Sequence, residues 1–222
     1  MTGPSAPRVT SVCIVHELLP DPGQDPDRTA IDKREVAGPI PVGPLGLAQD
    51  VQCDRRNHGG VDKAVYAYAD EDAVWWAAEL GRPVPPGLFG ENLRTTGVDV
   101  TGAEIGERWR IGTGSEPLEV EVTMPRTPCV TFQRHLDEPH WTARFTAHGA
   151  PGAYLRVIRA GTVVAGDPVA VVHRPGHGVR VGDCFGRPEP AAMRCLLDAA
   201  DSGSIDLAAS MRRAAERALG KG

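Results

Sequence analysis

The chain has no C-x-x-C pair, no run of lysines and arginines, and no stretch approaching the roughly 20 apolar residues that span a bilayer. Each absence removes a class of function. Without paired cysteines there is neither a zinc-ribbon arrangement nor a thioredoxin-like redox motif. The five cysteines, Cys13, Cys53, Cys129, Cys184 and Cys195, are odd in number and widely spaced, which fits reduced thiols in a cytosol. Without a basic tract, and with 29 acidic against 24 basic residues (formal net charge −5), the chain is poorly suited to neutralising successive phosphates, so duplex nucleic acid is not an expected partner. Met1 to Pro7 lacks the basic start and apolar core of a secretory signal; the expectation is a soluble, cytoplasmic protein that does not engage a membrane. Also missing are the G-x-x-x-x-G-K-[S/T] loop, a strand–G-x-G-x-x-G–helix unit and a G-x-S-x-G elbow. Nucleoside triphosphate binding, dinucleotide binding and serine-hydrolase chemistry thereby lose their usual support.

What is present is enough for a real core: 222 residues at 41% hydrophobic content suit one medium domain with a small appendage. β-branched or alternating segments at 9–15, 108–111, 118–124, 153–159 and 168–173 read as strands, separated by Gly-containing turns. Between 35 and 52 apolar residues are interrupted by Gly38, Pro39, Pro41, Gly43, Pro44 and Gly46, which predicts short bent strands rather than a helix. Pro20 to Asp27 reads as an exposed acidic connection. The spacing predicts a helix over 70–80, capped by Asp70 and ended by Gly81 and Pro83, with Trp75 and Trp76 as packing residues. Beyond Arg174-Pro175-Gly176 the pattern turns helical, at 190–200 and at 205–219 with Ser204 as N-cap. The expected fold is mainly β: a β-barrel domain over 1–175 with a few short helices, then a C-terminal helical segment over 176–222.

Three segments carry chemistry. In Pro125-Arg126-Thr127-Pro128-Cys129, two prolines stiffen the turn and hold Cys129 in one orientation, while Arg126 and a helix starting at Cys129 favour the thiolate, making it a candidate metal ligand or nucleophile. The plain alternative is a buried free cysteine. Around Gly59-Gly60, where backbone can approach a ligand, Arg55, Arg56 and Lys63 supply charge for a phosphate, and His58 can donate or relay a proton. A hairpin turn with solvated charges would look the same. In Phe89-Gly90-Glu91-Asn92-Leu93, the Asn92 amide can read a heterocycle edge and Glu91 can accept N–H bonds, although an Asn-stabilised turn is the commoner explanation of such a segment. Arg134 falls on the helix after Cys129, within reach of a bound anion. Cys53, beside Asp54 and Arg55, reads as a small buried residue or as a redox partner of Cys129.

Taken in order, Gly46-Leu47 through Asp50, Gln52, Asp54, His58-Gly59-Gly60, Asp62-Lys63-Ala64-Val65, Phe89-Gly90-Glu91-Asn92-Leu93 and Pro125-Arg126-Thr127-Pro128-Cys129 resemble the MOSC domain (molybdenum cofactor sulfurase C-terminal), in its stand-alone YiiM-like subgroup. The likeness runs from about Val9 to His173, and the tail resembles a shortened version of that subgroup's three-helix segment. One departure stands out: the family's usual Gly-Asp ahead of Q-x-D is Gln49-Asp50 here, at a turn that normally exploits glycine.

The resemblance implies a β-barrel that binds the molybdenum cofactor (molybdopterin), with Cys129 as the metal ligand and basic groups on the cofactor phosphate. Arg55, Arg56, Gly59, Gly60, Lys63, Glu91, Asn92, Arg126 and Arg134 are the cofactor-binding candidates; Cys129, His58 and Asp62 are the catalytic ones, with Asp62 acting through water. The implied reaction is two-electron reduction of an N–O bond in an N-hydroxylated purine or related base. Its electrons come from a separate reductase, since neither an iron–sulfur pattern nor a nucleotide site is evident; no pyridoxal-phosphate domain is seen either. An alternative is a persulfide or cofactor carrier fed by an external sulfur donor, and a third is a degenerate binding module. The oligomeric state stays open, with a dimer among the options.

Overall fold

The structure, a computed structural model, describes residues 6–24, 27–53 and 59–220. The first half of the chain gives β1 (Arg8–Val15), β2 (Leu19–Pro20), β3 (Arg28–Thr29), β4 (Lys33–Glu35), β5 (Ile40–Gly43), β6 (Gly46–Leu47), a 3-10 turn (Val61–Lys63), β7 (Val65–Ala69), α1 (Asp70–Leu80) and β8 (Leu93–Thr96). Then follow β9 (Arg108–Ile111), β10 (Leu118–Pro125), α2 (Val130–Leu136), α3 (Trp141–His148), β11 (Ala153–Arg159), β12 (Gly161–Val163), β13 (Val169–His173), a 3-10 turn (Gly182–Cys184), α4 (Pro190–Asp201) and α5 (Ala209–Ala218). The alternation read from the sequence thus becomes a sheet-dominated fold.

Eight strands form one mixed sheet in the order β13-β9-β10-β11-β7-β8-β1-β4, with β7 and β8 parallel and the other neighbours antiparallel. The sheet curls back on itself. Val9 N–H donates to the Asp167 carbonyl at 2.9 Å and Val169 N–H to the Pro7 carbonyl at 3.0 Å, so the start of β1 meets the turn into β13. Arg8 and Pro168 form an isolated antiparallel bridge there, but no continuous ladder joins the two ends among the described residues, so the sheet-dominated part of the expectation is established and closure into a barrel is not. β12-β5-β6 and β2-β3 make two smaller sheets.

The sheet's apolar face and α4–α5 share one hydrophobic cluster, in which Met193, Leu196, Met211 and Ala215 join Trp109, Val120 and Leu155. A second cluster gathers seven of the chain's eleven Trp, Tyr and Phe residues: Tyr66, Tyr68, Trp76, Phe89, Phe132, Trp141 and Phe145. Aromatic residues are scarce in the sequence, and the fold concentrates them where α1, α2 and α3 meet β7.

Several local expectations change. Asp70 does not cap α1; Ala69 is the N-cap, and the Asp70 carboxylate instead accepts from Thr10 Oγ1 at 2.6 Å and pairs with Arg94 at 3.6 Å. Gly81 does end the helix, at φ 64°. Ser204 is not an N-cap either: α5 begins only at Ala209, after an extended stretch, and Ser204 N–H closes the end of α4 on the Ala199 carbonyl at 2.9 Å. The 20–27 connection is not simply exposed, because Asp21 is buried. α2 starts one residue later than expected and has only seven residues, so it adds little to the electrostatics of Cys129, its N-cap.

Gln49 is one of three non-glycine residues at positive φ among the described residues, at 69°. It is the third residue of a turn closed by Asp50 N–H on the Leu47 carbonyl at 3.1 Å, a position where a type II turn asks for glycine. The backbone therefore keeps the conformation the glycine would have served, and the Cβ carries the strain, about 1–2 kcal/mol for an L-residue in this region. Gln49→Gly should stabilise the protein by about 0.5–1 kcal/mol once the glycine's greater freedom in the unfolded chain is subtracted. An upward shift of the urea midpoint reads this directly; an unchanged or lower midpoint would show an unstrained turn.

Candidate functional site

One cavity, about 840 Å³ including its open mouth, brings together segments far apart in the chain. Cys129, Arg126 and Thr131 come from the end of β10 and the start of α2; Lys63 and Ala64 from the turn before β7; Phe89, Gly90 and Asn92 from the loop before β8. Asp50, Gln52 and Cys53 add a further wall, and the β2–β3 hairpin contributes Asp21, Gln24, Arg28 and Thr29.

The Gly59–Lys63 turn is held from the sequence side by Gln52. Its Oε1 accepts from Gly60 N–H at 2.8 Å and its Nε2 donates to the Lys63 carbonyl at 3.1 Å, while Gly60 supplies a φ of 88°. Close packing demands a second glycine: a Cβ on Gly46 would lie 2.4 Å from the Ala64 carbonyl oxygen. Thr123 Oγ1 sits 2.6 Å from the Asp62 carbonyl and 3.0 Å from that of Tyr154, pinning the turn against β10 and β11. The Lys63 ammonium lies 5.4 Å above the Tyr154 ring.

Arg126 is the most buried of the cations that line the cavity, only 6% exposed. Its guanidinium lies 3.6 Å over the Phe132 ring and 5.7 Å from the Tyr66 ring, so the aromatic cluster below fixes its plane. Its Nη1 is buried without a hydrogen-bond partner. A cation in that state is costly unless an anion or dipole completes it. Burial pushes the Tyr154 phenol above the ordinary tyrosine range, with the Arg126 charge and its hydrogen bond opposing and Cys129 adding to the rise. Cys53, half-buried, has its thiol pushed up by burial and by Asp50, with Lys33 and Arg28 pulling the other way.

The sequence candidates separate in space. Cys129, Lys63, Asn92 and Arg126 line the cavity; Gly60 sits in its turn behind Gln52. The Asn92 amide is not available to a heterocycle, because Oδ1 accepts from Tyr66 N–H at 3.1 Å and Nδ2 donates to the Cys13 carbonyl at 3.2 Å and to Asp50 Oδ2 at 2.7 Å. Glu91 is turned inward, fully buried, accepting from Gly87 N–H at 2.7 Å, Phe89 N–H at 2.9 Å and Arg94, so it shapes the loop and does not line the cavity. Asp62 pairs with Arg156 at 3.3 Å, away from the cavity lining. Arg134 is committed to Asp21 at 2.8 Å and to the Pro22 carbonyl at 3.0 Å. Arg55, Arg56 and His58 lie outside the described residues, and Gly59 stands at their edge. Among the described residues no cluster of three or more His, Cys, Asp or Glu side chains is arranged to hold a metal ion by itself.

Asp50 is the residue the sequence reading passed over. Its carboxylate accepts from Val15 N–H at 2.9 Å, from Asn92 and from Lys33, joining β1, β4 and the β8 loop at the cavity wall. Its place just before Q-x-D was visible, but its partners lie up to 42 residues away.

Residues 54–170, more than half the chain, match the family model for the MOSC domain, and the chain belongs to this family. It is 34% identical to the protein YiiM of Escherichia coli over 150 residues, covering 66% of this chain and 65% of that one. To the uncharacterised protein YflK of Bacillus subtilis it is 31% identical over 153 residues, covering 69% and 67% respectively. A protein of Gibberella moniliformis named a reductase is 30% identical over 151 residues, which make up 66% of this chain but only 26% of that one. The crystal structure of YiiM from Geobacillus stearothermophilus superposes with a TM-score of 0.75 at 26% identity, covering 96% of this chain and 99% of that one. No helix among the described residues is long and apolar enough to cross a membrane.

Proposed function

We propose that the cavity holds the molybdenum cofactor and that the protein reduces N-hydroxylated compounds, a purine or related base among them, by two-electron N–O cleavage. The single observation that supports this best is the pairing, in one cavity, of the Cys129 thiol with the buried, incompletely partnered Arg126 guanidinium. A thiolate suits a soft metal centre, and Arg126 with Lys63 suits the anionic parts of a pterin phosphate. The residues present therefore fit the group that the family name implies, with Cys129 as ligand. When bound, the cofactor supplies the two-electron change that the reaction needs.

The chain's own residues do the rest. The Asp50–Asn92 pair and Gln52 fix the walls against which ligand and substrate are positioned, and the aromatic floor keeps water from beneath Arg126. Tyr154 lines the cavity, and its phenol hydroxyl is the proton source at the wall. The balance is R–NH–OH plus two electrons and two protons giving R–NH2 and water, with the electrons delivered by a separate reductase protein.

The test is to express the chain in hosts with and without molybdenum-cofactor synthesis and assay reduction of an N-hydroxylated purine with an artificial electron donor. Near-stoichiometric molybdenum and turnover only from the competent host are the expected result. Sulfane sulfur on Cys129, with no metal from either host, would replace this reading with the carrier one.

A further inference from the structure

We infer that the β2–β3 hairpin is a substrate-recognition arm, and that Arg28 on it selects a phosphate-bearing substrate, an N-hydroxylated nucleotide over the free base. This rests on the reading that N-hydroxylated bases are the substrates. Leu19 pairs with Thr29 and Pro20 with Arg28, and Asp21 N–H closes the hairpin further on the Asp27 carbonyl at 2.9 Å. The arm is fastened over the site. Buried Asp21 accepts from Thr131 Oγ1 at 2.5 Å and from Arg134 Nη1 at 2.8 Å, both on the helix that Cys129 caps. Gln24 and Arg28 thereby join the cavity wall.

The charges are unequally satisfied. Lys33 is neutralised by Asp50, and Asp21 by Arg134, whereas among the described residues Arg28 has neither ion pair nor hydrogen bond through its side chain, and it stands exposed at the cavity. Together with Arg126, whose Nη1 lacks a partner in the interior, it gives one cavity two guanidiniums at different depths. The deep one belongs with the cofactor in the reading above. The shallow one stands exposed on the arm, where a neutral base offers it nothing and a phosphate offers paired acceptor oxygens.

The competing assignment puts Arg28 on the cofactor phosphate, and the experiment separates the two sources. Adenosine 5′-monophosphate and adenine, both unreactive, are titrated calorimetrically into protein from cofactor-competent and cofactor-deficient hosts, alongside Arg28→Gln. The expected result, in cofactor-loaded protein, is that the monophosphate binds about tenfold tighter than adenine or more, a modest value for a charged hydrogen bond. Arg28→Gln removes that advantage, leaves adenine affinity and molybdenum content unchanged, and flattens the salt dependence. Equal affinity for the two probes, absence of monophosphate binding, or an Arg28→Gln variant that binds the monophosphate as the parent does would overturn the inference. So would an effect confined to cofactor-free protein or a loss of molybdenum in the variant, either of which assigns Arg28 to the cofactor. Heat of binding does not depend on turnover, so failure here is distinct from failure of the reductase reading.

Discussion

Cys129→Ser should reduce retained molybdenum to less than about a tenth of the parent's while leaving the fold intact. The argument is chemical. A thiol near neutral pH ionises readily beside a cation, whereas a serine hydroxyl stays protonated, and a neutral, hard oxygen is a poor replacement for thiolate on a soft metal centre. Structure predicts the intact fold: Cys129 is only partly buried, terminates the Pro-flanked turn and accepts from Gln133 N–H at 3.1 Å through its backbone carbonyl, a bond that serine keeps. Exchanging sulfur for oxygen there removes little volume. Metal analysis of protein purified from a cofactor-competent host, with thermal unfolding as control, reads the outcome. Parent-level molybdenum in the variant would remove Cys129 from the ligand role and the reductase proposal with it.

The second large effect falls on stability. Glu91→Gln should destabilise the protein by about 3–5 kcal/mol, the range for breaking a buried ion pair by removing one partner. Glu91 is 0% exposed and Arg94 1%, and their carboxylate and guanidinium are joined directly. Arg94 would be left with Asp70, at 3.6 Å, as its other carboxylate. The amide also places an N–H₂ group where Gly87 and Phe89 backbone N–H groups donate at 2.7 and 2.9 Å, so at least one buried donor loses its acceptor. At roughly 2–4 °C per kcal/mol for a chain of this size, Tm should fall by about 10 °C. A fall of less than about 2 °C would mean that the Phe89 loop does not depend on this pair. Because Phe89 and Asn92 line the cavity, a variant that still folds should also hold cofactor less well.

These two residues show how unevenly the site was legible. Cys129 was legible because everything that distinguishes it is local: two prolines, an arginine and a helix start within a few positions. Glu91 and Asn92 were equally visible as polar residues beside a glycine, but their partners decide their roles. Asn92 gives its amide to Tyr66, Cys13 and Asp50, at separations of 26, 79 and 42 residues, and has nothing left for a ligand. Asp62 and Arg134 were lost from the cavity in the same way, to Arg156 and Asp21. The errors in the helical tail are of another kind: α5 waits until Ala209 because Ile205 and Leu207 pack on the main core from an extended stretch, a tertiary preference that overrides helical spacing.

By itself the sequence determined the strand-rich framework, the turn positions, the proline-held cysteine and, through the order of its motifs, membership of the MOSC family. Those properties follow from periodicity, from glycine and proline backbone limits and from neighbouring side chains, all of which act over a few residues. Only the tertiary structure decided that β2 and β3 pair and are fastened over the cavity, because their anchor is Asp21 on Thr131, 110 residues away. It likewise decided which charges are already neutralised and which remain open to a ligand. Burial and ion pairing belong to the whole packing, and no local pattern encodes which partner a charged side chain meets once the sheet has curled.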